Sequence, residues 1–276
     1  MFASAAMAAA LPAWAGDRAV VARREFGGAC PRCELSGRRL AGVHFLGANF
    51  AGAAMVGSDL RRARFMGSIF AGADLSHADL SQAGFLGANF TGANLTRAKL
   101  RGVQAHGVSF AEANLASADL EGIEALGANF SGATLAGASL RSAELTGSMF
   151  RNANAARANF TGADLRGAVL STGRFGKVSF RDAELEGAVL TKGRFEGADF
   201  TGANLERANI AGADLSRAKG LSQDQLDTAC ADSRTRTPAG LAAKTCAAKL
   251  MVHSPPVLPP APPVPPAPRY LVVVGH

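Results

Sequence analysis

The chain is short of most residues that mark a familiar globular domain. It has one Trp and one Tyr, and charged residues make up only 18% of its 276 positions. With 48% hydrophobic residues, that scarcity excludes both a charge-rich coiled coil and an acidic disordered chain. Nine of its 12 prolines lie beyond residue 250, so 32 glycines do not make it a collagen. No run reaches the ~20 apolar residues that a membrane helix needs. Acidic charge is also lacking: the net charge of +7 disfavours a DNA-like surface. The length allows one large domain or two modest ones, enough for a continuous core.

The first fifteen residues, Met1 to Ala15, are Ala-rich and apolar, and Ala13-Trp14-Ala15 before Gly16 fits an A-x-A cleavage signal. The spacing predicts a signal peptide over 1–15, although its basic n-region is missing and the first cation is Arg18. An even count of four cysteines agrees with export to an oxidising compartment, periplasmic or secreted.

Phenylalanine is where the chain declares itself. Fourteen of the 16 Phe residues stand at positions divisible by five. From Leu35 to Leu215 that register is Leu, Phe, Ile or Met at all 37 steps except Ala105, Ala125 and Ala155. Two residues earlier stands a small residue, usually Ala, as at Ala48, Ala73, Ala93, Ala163 and Ala203. A period of five fits neither a helix (3.6) nor a strand (2.0). It closes only if the chain turns a corner every five residues, pointing one large and one small residue inward. A second period of 20 runs through Phe50, Phe70, Phe90, Phe110, Phe130 and Phe150, and again through Phe160, Phe180 and Phe200. Twenty residues then make one four-sided coil, with like residues stacked on like. About nine coils at ~4.8 Å each give a rod on the order of 45 Å long.

The units Gly87-Ala88-Asn89-Phe90, Gly92-Ala93-Asn94-Leu95 and Gly162-Ala163-Asp164-Leu165 resemble those of pentapeptide repeat proteins, A-(D/N)-L-x-x. The resemblance implies an all-β fold: a right-handed quadrilateral β-helix with a Leu/Phe and Ala interior. It is specific for fold and leaves function open. The domain reading is a signal peptide (1–15), an N-terminal cap (16–34), the β-helix (35–219), a C-terminal cap with a short helix (220–250) and a Pro-rich tail (251–276).

Open coil ends require caps. Cys30 falls on the large register and Cys33 on the small one, which reads as an inward pair joined by a short disulfide in an exported chain. A CxxC redox motif needs a βαβ context that is absent, and a zinc site needs two more ligands. At the other end Ser222 is placed to cap a helix reaching about Cys230, and Pro238-Ala239-Gly240 marks a turn. Cys230 and Cys246 flank that turn, so a disulfide there ties down the cap. The stretch Gln225–Cys246 is also similar to the terminal cap of exported bacterial members of the family. Tyr270 to Val274 forms a short apolar end after the prolines.

No nucleophile motif, phosphate loop or metal spacing is present, and neither a cofactor nor a metal is implied. His44, His77 and His106 fall on different sides or distant coils and read as solvated. Asp59 and Asp79 are one coil apart, but Lys99 follows in their column and neutralises them. Surface columns remain. Leu46, Met66, Leu86 and Leu126 form an outward apolar row interrupted by His106, beside Gly47, Gly67, Gly87 and Gly127. Farther along the same side, Glu124, Glu144, Asp164 and Glu184 make an acidic ladder, read as a solvated face before a calcium site. Arg61, Arg101, Arg141 and Arg181 make a basic column, read as solubility decoration before an anionic-polymer site, because Glu121 interrupts it.

The expected function is non-enzymatic: an exported scaffold or protein-binding module with one flat face, meeting a protein partner or a second copy, with the apolar row as contact. The alternative, implied by the resemblance alone, is a DNA mimic that binds topoisomerases. It requires a strongly negative rod, whereas residues 35–219 carry 20 Lys/Arg against 16 Asp/Glu, a net of +4. Nucleic acid is disfavoured as a partner.

Overall fold

A computed structural model describes residues 28–246. The predicted signal peptide, residues 16–27 of the N-terminal cap, residues 247–250 of the C-terminal cap and the 251–276 tail lie outside the described residues.

Every five-residue unit uses its positions alike. The residue between the small and large inward positions makes a parallel bridge to its counterpart one coil on, as in Asn49 to Ile69, Ile69 to Asn89 and Asn89 to Ser109. Two turn residues follow, and the second has a positive φ: 66° at Gly92 and 65° at Gly162. A Cβ is strained in that left-handed region, which is why glycine recurs there. The turn's first amide is held by the side chain at the bridging position: Asn49 Oδ1 accepts from Ala51 N at 2.9 Å, and Asp74 Oδ1 accepts from Ser76 N at 2.9 Å. This Asx turn gives the physical reason for Asn or Asp in the repeat.

Successive coils are joined through the backbone. Phe50 N donates to Ile69 O at 2.7 Å, and Asn89 N donates to Ser68 O at 2.9 Å. Because the chain turns after one bridged residue, few units extend to a strand. Among the described residues these are β1 (His44–Leu46) and β2 (Arg64–Met66), paired in parallel with Phe45 opposite Phe65.

The inward positions form one continuous dry core. Phe70 and Phe90 stack with ring centroids 4.6 Å apart, and Phe90, Phe110, Phe130 and Phe150 continue the column at 5.3, 5.0 and 4.8 Å. Phe160, Phe180 and Phe200 form the second expected stack at 5.4 and 5.1 Å. Three serines occupy small inward positions and are fully buried. Each is satisfied by backbone: Ser58 Oγ donates to Met55 O, Ser148 Oγ donates to Ala125 O, and Ser68 Oγ accepts from Ala48 N.

Both ends are stitched. Cys30 is bonded to Cys33 and Cys230 to Cys246, with Cα separations of 5.4 and 5.2 Å. Helix α1 (Gln223–Thr228) begins at Ser222 with a capping box completed by Gln225, and stops just short of Cys230. Coil pairing continues past residue 219, through Asn209 to Cys230 and Asp214 to Arg236. Both partners lie beyond the positions that the strict repeat spacing would choose. The five-residue register is lost to the eye there, while the stacking persists. Buried Leu226 takes up the inward role.

Candidate functional site

Bridges from each coil to the next turn positions in the sequence into columns on the surface, so each predicted row can be placed. Leu46, Met66, Leu86 and Leu126 are 64%, 47%, 52% and 43% exposed, on successive units of one series. The other large hydrophobic residue exposed among those described is Val56. The glycines beside the row do more than leave room. Gly47, Gly67, Gly87 and Gly127 have φ between 60° and 64°, a turn geometry that favours glycine but that Arg207 also adopts in the same column, at 57°.

His106 keeps the row's register but folds down between Leu86 and Leu126, half-buried. Its Nδ1 is buried with no hydrogen-bond partner among the described residues, and its Nε2 lies 3.7 Å from Glu124 Oε2.

The acidic ladder is a true column: Glu124, Glu144, Asp164 and Glu184 are bridged in sequence. Its charges are compensated unevenly. Arg166 chelates Asp164 through Nε and Nη2 at 2.9 and 2.5 Å, and that hydrogen bonding holds the carboxyl below the usual range. Glu184 accepts from Asn204 Nδ2 at 2.9 Å, and Glu144 has no ion pair among the described residues. Nor is any group of three or more His, Cys, Asp or Glu among the described residues placed to hold a metal ion.

The basic column is also in place, but its charges are largely spent on neighbouring carboxylates. Arg61 pairs with Asp59 at 2.7 Å, Arg101 with Asp119 and Glu121 at 2.5 and 2.6 Å, and Arg181 with Asp199 at 3.2 Å. Lys99 stands 3.7 Å from Asp79, as its column position requires. Arg141 has no ion pair among the described residues, so one of four members is unspent. Exposed pairs of this kind stabilise by about 0–1 kcal/mol each.

A different basic surface was not singled out from the sequence. Arg174 is bridged directly to Arg194 and, through Asp214, the column reaches Arg236 in the cap. Lys192, Arg194, Arg234 and Arg236 line a shallow depression of about 410 Å³ together with Glu196 and Asp214, and Arg234 and Arg236 are paired with Asp232 and Asp214. Neither Arg174 nor Arg194 has an ion pair among the described residues. The signal was available as Arg174 and Arg194, one period apart, but Arg236 lies beyond the visible repeat.

A stack of five-residue units bridged coil to coil, with a flat patterned exterior and disulfide-bonded ends, is the architecture of a repeat β-helix. Pentapeptide-repeat profiles match residues 32–83, 68–104, 88–124, 109–148, 135–171 and 174–219, and the chain belongs to the pentapeptide repeat family. No curated protein matches it. Among solved structures it is similar to HetL, a pentapeptide repeat protein involved in heterocyst differentiation regulation from the cyanobacterium Nostoc sp. strain PCC 7120. The identity is 26% over 76% of this chain and 93% of HetL, with a TM-score of 0.47. It is also similar to trypsin-treated QnrB1, a plasmid-mediated fluoroquinolone resistance protein, at 20% identity over 76% and 91% of the two chains and a TM-score of 0.33. A third is alr5209 from Nostoc PCC 7120, at 27% identity over 40% and 84%, with a TM-score of 0.32.

Proposed function

We propose that this protein is a non-enzymatic exported scaffold that binds a protein partner through one flat side of a right-handed quadrilateral β-helix of about nine coils. The observation that carries the reading is the aligned exposure of Leu46, Met66, Leu86 and Leu126. Isolated surface apolar residues are ordinary, whereas a row in register is a ready contact strip. Coils tied together by backbone hydrogen bonds present that strip already ordered, which lowers the entropy cost of binding. The two disulfides support an oxidising compartment, periplasmic or secreted. No helix among the described residues is long and apolar enough to cross a membrane.

The net of +4 over residues 35–219 speaks against a DNA mimic, as does the pairing of most column arginines with carboxylates. The test is the triple variant Leu46→Ser, Met66→Ser, Leu86→Ser. It keeps the parental circular dichroism and melting temperature while losing partner capture or self-association. If it retains every interaction of the parent, the row is decoration.

A further inference from the structure

The four-sided coil of the proposed function makes units ten residues apart opposite one another. The side bearing the apolar row (units centred on Phe45, Phe65 and onward) is therefore backed by the side centred on Met55, Leu75 and onward. These two sides carry opposite charge gradients along the rod. On the first, the central outward column begins with His44 and Arg64 and ends in the acidic ladder Glu124 to Glu184. On the second, it begins with Glu34 and Asp74 and ends in Arg174, Arg194, Asp214 and Arg236, the last two paired with each other at 3.8 Å. Glu144 has no ion pair among the described residues, nor have Arg64, Arg174 and Arg194, and Glu184 accepts from the Asn204 amide with the Arg166 charge nearby. The five exposed large hydrophobics divide between these same sides, four on the first and Val56 on the second.

We infer that the occupant of the row-bearing side is the opposite side of a second copy of this chain, stacked parallel and level with the first. The inference rests on the flat-side reading above and names its partner. Two opposite sides of one coil differ in height by half a coil spacing. A copy translated sideways thus sets Glu184 between Arg174 and Arg194 of the next copy, and Arg64 beside Asp74.

Apolar and small residues match as well. The chain runs in opposite directions along opposite sides, so the turn leaving the first side meets the turn entering the second. Leu46 and Met66 then lie against half-buried Ala51 and Ala71. An antiparallel copy instead brings Arg64 to Arg194 and Glu184 to Asp74, like against like. An antiparallel two-fold dimer through the apolar row alone must be staggered to keep Leu46 against Leu126, and so overlaps only about half of the coils.

The footprint is modest. A side is about 10 Å wide (three extended residues) and about 45 Å long, so its flat area lies well below the ~800 Å² per partner of a stable complex. Each contact is therefore weak and salt-sensitive, and because the operator is a translation, copies add without closing.

The test uses the full chain in sedimentation velocity across a concentration series, at about 50 mM and about 500 mM salt. The expected result is association that rises with concentration and disappears at high salt. Two double variants follow, Glu144→Lys with Glu184→Lys, and Arg174→Glu with Arg194→Glu. Each alone is expected to be monomeric, and their equimolar mixture to associate again, because opposite signs meet across the contact. Carbodiimide coupling in a mixture of isotopically light and heavy parental chains should join Lys192 of one copy to Glu184 or Glu186 of another. A chain monomeric throughout, or a mixture that fails to associate, overturns the inference, as does Lys192 coupled to Glu34 or Asp74. If Arg174→Glu with Arg194→Glu leaves association intact while the triple serine variant abolishes it, the row pairs with itself. The inference then fails and the proposed function stands.

Discussion

Gly193→Ala sets repeat pattern and packing sharply against each other. Gly193 stands at the small inward position, where Ala is the rule, and its φ lies outside the left-handed region. Repeat logic therefore expects the change to stabilise by about 0.4–1 kcal/mol through the unfolded chain. Packing predicts the reverse. An added Cβ meets Phe195 Cε2 at 2.6 Å and Cζ at 2.9 Å, and Leu190 O at 3.1 Å. The Phe195 ring has no slack, since it stacks on Phe175 with centroids 5.2 Å apart and is fully buried. Overpacking of a closed core costs about 1–3 kcal/mol, which outweighs the entropic gain. The net expectation is destabilisation by about 1–2 kcal/mol, or a few degrees in melting temperature for a chain of this size. Denaturant unfolding of the oxidised protein, with Phe195→Leu and the double variant, completes a cycle. Removing the ring should relieve most of the penalty, giving a coupling of about 1 kcal/mol or more. A Gly193→Ala protein more stable than its parent would refute the packing argument.

Four further outcomes can be checked. Phe110→Asp places a charge between rings 5.3 and 5.0 Å away and should abolish folded yield, whereas Asn114→Asp on the exposed face should change the denaturation midpoint little. Replacing Cys230 and Cys246 by Ser opens a loop with a sequence separation of 16 and should cost about 3 kcal/mol, read as faster hydrogen exchange over residues 226–231. Asp59, Asp164 and Asp199 have carboxyls held below the usual range, by hydrogen bonds from Arg61, Arg166 and Thr201 respectively. Their contribution is therefore complete above the ordinary carboxylate range and is lost as pH falls through the lowered values, so the melting temperature should drop on acidification below about pH 4, less steeply at high salt. The triple serine variant of the apolar row should lose binding with its fold intact, read by pull-down and circular dichroism.

The turn that Cys230 and Cys246 flank, beyond the repeat, was the signal for their pairing, while a period of five was enough to place Phe, Leu and Ala inside, to stack Phe50 through Phe150 and to set Cys30 and Cys33 together on inward positions. Those features follow from the chain's own spacing, because within the repeat a residue and its neighbour above are one coil apart and side-chain direction alternates along each side. The apolar row and both charge columns were legible for the same reason. Tertiary structure decided what depends on a side chain's reach across coils. It spent Arg61, Arg101 and Arg181 on carboxylates in the adjoining column, Arg101 also on Glu121 in its own, and set His106 beside Glu124. It also carried the coil pairing into Cys230 and Arg236, where bridged partners drift off the repeat spacing and no fixed period survives to be read. Arg236 joins the column of Arg174 and Arg194 only through the folded cap and through no regularity of sequence.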